Sequence, residues 1–98
     1  MSLTAAQKRA LRSRAHHLKP VVMVGQHGLN DNILAEVGIA LDAHELIKVK
    51  IAAERDERAA ITQAILDNSG AALVQTIGQM SVLYRRNEKK PKITLPAS

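Results

Sequence analysis

In the segment VVMVGQHGLNDN, residues 21–32, two glycines flank a polar pair. These four residues have the types and spacing of a loop that could contact a phosphate group. Gln26 and His27 lie between Gly25 and Gly28, after a short apolar run and just before a helical pattern. Glycine lacks a side chain, so the backbone can approach a phosphate closely, and amides at a helix N-terminus attract anions. The segment predicts either a phosphate-contacting loop or a tight strand-to-helix turn.

The loop does not match the common nucleotide-binding motifs. It lacks the Gly-Lys-Ser/Thr of a P-loop and the third glycine of a dinucleotide-binding turn. The GxxG spacing is the one with which KH domains clamp the backbone of nucleic acids. Because Asp31 in the following helical turn disfavours a phosphate at the helix end, we expect contact at Gly25–Gly28 itself.

Catalytic and metal-binding residue patterns are lacking elsewhere in the sequence. The chain has no cysteine, and none of its serines lies in a strained nucleophile turn. The four histidines include no pair four residues apart on a helix, which is the spacing that favours zinc. We therefore expect no enzymatic activity, no metal, no cofactor and no small-molecule substrate.

Basic residues concentrate at both ends of the chain, whose formal net charge is +5. Residues 1–20 contain no acid, whereas the middle of the chain is acidic. This distribution predicts a polyanionic partner, although solvated termini have the same composition. The candidate phosphate contacts are Lys8, Arg9 and Arg12 on one stripe of the first helix, Lys19 after it, Lys48 and Lys50 on a strand, and Arg85 and Arg86.

Aromatic residues are almost lacking, because Tyr84 is the only one. RNA-binding modules that stack unpaired bases on a sheet need several exposed aromatic side chains. Recognition would therefore depend on phosphates, sugar hydroxyls and shape, and a structured RNA is the polyanion that suits this best.

Periodicity and capping residues predict three helices. Thr4 and Gln7 form a capping box that opens a helix over about residues 4–15. Asn30 is a good N-cap for a helix that ends near residue 43. The third helix lies in the segment RDERAAITQAILDNSG, with Asp56 as its cap and Gly70 as its stop.

The remaining patterns predict four strands. Residues 21–24 form a short buried strand, and ELIKVKIA alternates so that Lys48 and Lys50 share one face. AALVQTIG and SVLYRR form a hairpin around GQM. The order α-β-α-β-α-β-β predicts an α/β fold with parallel crossovers and one antiparallel pair. We expect one domain with a core over residues 2–86 and a loose basic tail over residues 87–98, in which KITL could alternatively pair with a sheet edge.

Several motifs in combination resemble those of the CRM domain, the chloroplast RNA splicing and ribosome maturation module, in its stand-alone bacterial YhbY-like form. They are LKP before the first strand, GxxGL after it, HELIKVK, and IG leading into VLYR, and the resemblance covers residues 2–96. It implies a four-stranded mixed sheet with helices, similar to the C-terminal domain of translation initiation factor 3. It also implies RNA binding through the GxxG loop, here Gly25–Gly28, and association with precursors of the large ribosomal subunit.

The sequence and the resemblance together predict a monomeric, cytoplasmic RNA-binding protein that acts on ribosomal RNA and has no membrane segment. Two alternatives stay open. One is a different nucleic-acid role, as a general RNA chaperone, a splicing-type RNA binder or a DNA-binding protein, and the other is a protein-interaction module on ribosomal particles.

Overall fold

The computed structural model of the chain describes residues 2–97, which form three helices and four strands in the predicted order. The α/β class and the α-β-α-β-α-β-β order are confirmed, and each element begins and ends within two residues of its predicted bounds. The elements are α1 Ala5–Ala15, β1 Pro20–Val24, α2 Asp31–His44, β2 Leu46–Ile51, α3 Arg55–Ser69, β3 Ala72–Ile77 and β4 Met80–Tyr84.

The strands form one mixed sheet in the order β1-β2-β4-β3. β1 and β2 are parallel and connected through α2, whereas β4 is antiparallel to both β2 and β3. The turn Gly78–Gln79 joins β3 to β4, and Gly78 has a φ of +55°. Glycine at the first central position with positive φ is the pattern of a type II′ hairpin turn, so the predicted hairpin is confirmed.

The larger core cluster lies between the sheet and the pair α2 and α3. Alternate residues of β1 and β2 supply its strand side, because successive side chains of a strand point to opposite faces. Val37 and Leu41 of α2 and Ile61 and Ile65 of α3 cover them. The strand residues of this cluster are Val22, Val24, Ile47, Val49, Ile51 and Leu83.

A smaller cluster lies on the opposite face of the sheet, beneath α1. Leu11 and Ala15 of α1 pack against Leu46, Val74, Val82 and Tyr84. α1 contacts β2, β3 and β4 but covers only part of this face, because Val21, Met23 and Ile77 remain 53%, 59% and 52% exposed. The fold thus leaves an open area beside α1 on the face that also carries Lys48 and Lys50.

Two of the three predicted N-caps are confirmed. Thr4 forms the capping box with Gln7, and the Asn30 side chain accepts a hydrogen bond from the Ile33 amide at 2.9 Å. The prediction for Asp56 was wrong, since the cap residue of α3 is Glu54 and it makes no side-chain capping bond. Asp56 lies in the first turn, where its charge still favours the positive end of the helix dipole.

Glu45, which the alternating pattern places in β2, instead ends α2 as a fully buried residue with a φ of +63°. Its carboxylate accepts three backbone hydrogen bonds from the segment after β4. The donors are the amides of Asn87 at 2.6 Å, Lys92 at 2.7 Å and Ile93 at 2.8 Å. Burial alone would raise the pKa of Glu45, but these amides and the nearby Arg86 charge hold it below its ordinary value of 4.5.

The segment after β4 therefore packs on the fold, in contrast to the predicted loose tail. Ile93 and Leu95 contact the smaller core cluster together with Leu3. Farther along, the Gln7 side-chain amide donates to the Pro96 carbonyl at 2.9 Å. The two ends of the described chain consequently lie side by side.

Candidate nucleic-acid interface

The Gly25–Gly28 loop connects β1 to α2 and is closed by a hydrogen bond from the Gly28 amide to the Gly25 carbonyl at 3.0 Å. Gln26 and His27 form the exposed tip of this turn. Leu29 then packs against the larger core, and Asn30 begins α2. Leu29 and Asn30 fix the C-terminal end of the loop, and the buried Val24 fixes its start, so the exposed tip lies in solvent.

Only one of the two loop glycines is required by its backbone conformation. Gly28 has a φ of +78°, which L-residues adopt at a cost. Gly25 is not among the positive-φ residues, and a Cβ at this position would meet no atom within 4 Å. The fold therefore explains Gly28 but not Gly25, and an exposed glycine without a conformational need suits close approach of a ligand to the backbone.

Lys48 and Lys50 point to the face of the sheet that α1 partly covers. The strand pairing sets Met23 of β1 opposite Lys50, and Gly25 follows Met23 by two residues. At about 3.3 Å per residue, the start of the loop is about 7 Å along β1 from the Lys50 pair. The lysines and the loop thus share one edge of the molecule.

Arg12 of α1 joins this area from the other side. Arg12, His16 and Lys48 line one cleft of about 640 Å³, with Gln75 and Ile77 of β3 as its far wall. We call Arg12, Met23, Lys48 and Lys50, together with the Gly25–Gly28 loop, the loop–sheet surface. It brings together residues from α1, β1, β2 and a loop that are far apart in the sequence.

The other predicted contacts on α1 lie elsewhere. Lys8 lines a separate shallow cavity with Gln63 and Asp67 of α3. Arg9 is exposed, and Lys19 lies near the start of β1. The predicted basic stripe is therefore divided, because α1 crosses the sheet and directs its successive turns toward different neighbours.

Arg85 is engaged in contacts within the protein. Its guanidinium donates to the carbonyls of Ser69 at 2.7 Å and Gly38 at 3.2 Å, and it pairs with Asp42 at 2.9 Å. These bonds brace the end of β4 against α2 and α3, so Arg85 has little capacity left for a phosphate. Arg86 is more exposed and lies 3.7 Å from Glu88 at the end of the sheet opposite the loop.

Three apolar side chains on the open face were not among the predicted site residues. Val21 and Met23 were read as part of a buried strand, and Ile77 as part of a hairpin. β1 is an edge strand whose residues alternate between buried and exposed. Pro20 at its start is a sequence signal for an edge strand, since proline cannot donate to a ladder.

Tyr84 is buried and therefore cannot stack on a base. The side chain is 2% exposed beneath α1. Burial raises the pKa of Tyr84, and the Glu45 carboxylate raises it further. The only aromatic residue of the chain is therefore part of the core.

Within residues 2–97, no three side chains of the metal-ligating types are grouped closely enough to hold a metal ion. None of the helices in the same range combines the length and apolarity that crossing a bilayer requires.

Comparison with known protein families shows which family the chain belongs to. The profile of the CRS1 / YhbY (CRM) domain matches residues 3–85. The chain belongs to the CRM-domain family. The match includes the whole loop–sheet surface of this CRM domain, and it ends before Arg86 and the segment that Glu45 binds.

Similar proteins of other bacteria match nearly the whole chain. A protein of Pseudomonas aeruginosa, named a probable RNA-binding protein, is 50% identical over 93 residues, which are 94% of this chain and 89% of that protein. An RNA-binding protein of Haemophilus influenzae is 51% identical over 96 residues, 97% of this chain and 96% of its own.

A solved structure has the same fold. The solution structure of a Staphylococcus aureus protein, for which RNA binding has been suggested, superposes with a TM-score of 0.83 at 35% identity. The alignment covers 97% of this chain and 100% of that one. The two proteins thus share one fold over 97% of this chain.

Proposed function

We propose that this CRM domain binds structured RNA through the loop–sheet surface. The observation that carries the proposal is the strand pairing of Met23 with Lys50, because it brings the GxxG loop, Lys50 and the Arg12–Lys48 cleft onto one face. Three cations and an exposed glycine turn on one surface match the phosphate-rich backbone of a nucleic acid. The names of the relatives in Pseudomonas aeruginosa and Haemophilus influenzae support RNA as the partner.

The chemistry of the surface favours backbone contacts over base stacking. Tyr84 is buried, and the sequence has no other tyrosine, phenylalanine or tryptophan that could stack on a base. Lysine and arginine neutralise phosphates, and the Gly25 backbone can approach the sugar-phosphate chain because it has no side chain. Recognition on this surface would depend on the spacing of phosphates in a folded RNA.

The cellular role within this proposal is ribosome assembly. The motif resemblance to YhbY-like proteins supports ribosomal RNA of large-subunit precursors as the ligand and the cytoplasm as the location. The protein would act as a non-enzymatic binder, with no cofactor and as a monomer. If the protein were a general RNA chaperone, it would bind unrelated structured RNAs equally well. If it were a protein-interaction module, it would still associate with ribosomal particles after the cations of the loop–sheet surface were removed.

Affinity measurements test the proposal directly. We expect wild-type protein to bind a structured RNA more tightly than duplex DNA of the same length at one salt concentration. Lys48→Glu/Lys50→Glu should weaken RNA binding about tenfold or more. The matched control is Lys89→Glu/Lys90→Glu, which makes the same charge change on exposed residues outside the surface.

Two results would contradict this assignment. Equal affinity of wild-type protein for RNA and DNA would remove the case for an RNA partner. Equal losses in the two double variants, with folding verified by circular dichroism, would mean that net charge and not the loop–sheet surface governs binding. Sedimentation of the tagged protein with ribosomal particles in a lysate then tests the assembly role.

A further inference from the structure

A second cavity, of about 500 Å³, lies at the start of β1 and is separate from the Arg12–Lys48 cleft. It opens between the end of α1, the end of α2 and the segment that Glu45 binds. We call it the basal pocket. Its volume falls within the range of about 300–1,000 Å³ that is usual for small-ligand sites.

The walls of the basal pocket are largely apolar and accessible. Leu18 and Val21 contribute side chains that are 38% and 53% exposed. Ala43, Leu46, Ile47 and Ile93 complete the apolar lining. Exposed leucine and valine side chains inside a concavity favour a ligand with a flat or apolar part.

The rim of the basal pocket is basic. Arg14 comes from α1, Lys19 from the connection to β1, and Lys92 from the C-terminal segment, with His44 at the end of α2. Among the residues that the structure describes, no aspartate or glutamate lines the pocket. Convergence of three permanent cations from three parts of the chain favours an anionic group on the ligand.

The Glu45 carboxylate holds one wall of this pocket in place. It accepts hydrogen bonds from the amides of Lys92 and Ile93, whose side chains line the basal pocket. This clamp joins the segment to the end of α2 together with the hydrogen bond from the Asn87 side-chain amide to the Asp42 carbonyl at 3.0 Å. The shape of the basal pocket therefore depends on contacts between residues that are far apart in the sequence.

We propose that the basal pocket holds one unstacked nucleotide of the bound RNA. The base would contact Leu18 and Val21, and its phosphates would contact Arg14, Lys19 and Lys92. This inference rests on the proposed function and extends it from backbone contacts to an unpaired position of the RNA. Val21 precedes Gly25 by four residues of β1, about 13 Å, so one RNA could contact both sites.

Two RNA hairpins that differ by a single-nucleotide bulge test this inference. We expect wild-type protein to bind the bulged hairpin about fivefold more tightly than the fully paired one. Leu18→Ser removes an apolar wall without changing charge, and it should abolish this preference while leaving affinity for the paired hairpin within about twofold. Ile39→Ser, at a residue 70% exposed on α2, is the matched control and should keep the preference.

The cations are tested in the same assay. Arg14→Ala/Lys92→Ala should lower affinity for the bulged hairpin more than for the paired one. Arg55→Ala/Lys89→Ala removes the same residue types from exposed positions outside the pocket and should keep the wild-type ratio. In titrations of wild-type protein followed by NMR, the bulged hairpin should shift the methyl signals of Leu18, Val21 and Ile93 more than the paired hairpin does.

The outcomes separate this inference from the proposed function. No preference of wild-type protein for the bulge, or equal losses on both hairpins in the pocket variants, would overturn the nucleotide pocket while RNA binding stands. Equal methyl shifts with both hairpins would overturn it as well, even if a pocket variant fails to fold. Binding of neither hairpin above the level of duplex DNA would instead refute the proposed function.

Discussion

At the residue scale, the two glycines of the GxxG loop have different roles, which the sequence alone does not show. Gly28 needs its positive φ to close the turn, whereas Gly25 has ordinary backbone geometry and open space around it. The sequence alone is compatible with both a simple turn and a phosphate-contacting loop. The structure assigns the turn requirement to one glycine and leaves the other available for ligand approach.

Alanine at each glycine should separate stability from binding. Gly28→Ala should lower the free energy of unfolding by about 1–2 kcal/mol, because an L-residue is strained at this φ. Gly25→Ala should leave stability unchanged or raise it by up to about 1 kcal/mol, yet weaken RNA binding about fivefold or more. Urea denaturation and RNA titration measure the two effects. Wild-type affinity in a folded Gly25→Ala protein would reduce the loop to a connecting turn.

Glu45 is the residue whose role differs most from its sequence pattern. It precedes LIKVKI, where the pattern predicts the first residue of an alternating strand, but it caps α2 with a φ of +63° and is fully buried. Its partners are 42 to 48 residues away in the sequence. No local pattern shows such a contact, so the packed tail could not be predicted.

Glu45→Gln should destabilise the protein in a pH-dependent manner. Glutamine offers one acceptor oxygen and sets an N–H donor against backbone amides, so we expect a loss of about 1–3 kcal/mol at pH 7. The folded pKa of Glu45 lies below its ordinary value, so its charge stabilises the fold above pH 4.5 and this contribution falls away as the pH drops below 4.5. The difference between wild type and variant in urea unfolding should therefore shrink toward acid pH. A constant difference would contradict the carboxylate clamp.

At the element scale, α1 shows what a helical stripe can and cannot predict. The 3.6-residue period correctly places Lys8, Arg9 and Arg12 on one side of the helix. Which neighbour each turn meets depends on the path of the helix across the sheet, and that path is set by Leu11 and Ala15 packing on β2, β3 and β4. As a result, Arg12 faces Lys48 while Lys8 faces α3.

Matched charge reversals on α1 should therefore have unequal effects. Arg12→Glu should weaken RNA binding about tenfold or more, because it introduces a negative charge in the loop–sheet surface. Lys8→Glu makes the same charge change one helical turn away and should alter affinity by less than about threefold. Melting temperature verifies that both proteins fold. Similar losses in the two variants would mean that the whole stripe contacts RNA.

At the scale of the whole molecule, the sequence was sufficient for the order of elements and the mixed sheet. Alternating and helical periods, together with the caps at Thr4, Asn30 and Gly70, carry that information locally. The division of the basic residues among surfaces was not predictable, because it depends on contacts such as those of Arg85 with α2 and α3. The open face of the sheet likewise follows from how little of it α1 covers.

Salt dependence reports on the whole binding surface. Three contacts, from Arg12, Lys48 and Lys50, give an expected slope of log affinity against log salt of about −2.1 to −2.7, and each further contact adds about −0.7 to −0.9. If the basal pocket also binds phosphates, Arg14→Ala/Lys92→Ala should make the slope shallower by about 1.4–1.8. Fluorescence anisotropy over a range of KCl concentrations measures it. A slope near zero in wild-type protein would contradict phosphate recognition altogether.

The hydrogen bond from the Gln7 side chain to the Pro96 carbonyl holds the first and last segments of the described chain close together. A short glycine-serine linker from residue 97 back to residue 2 would follow a path that the fold already brings together. Such backbone cyclisation restricts the unfolded ensemble without distorting the folded one, and chain-entropy arguments give a gain on the order of 5 kcal/mol at most. A cyclic form would retain the loop–sheet surface, since both joined ends lie at the side of the molecule away from the GxxG loop.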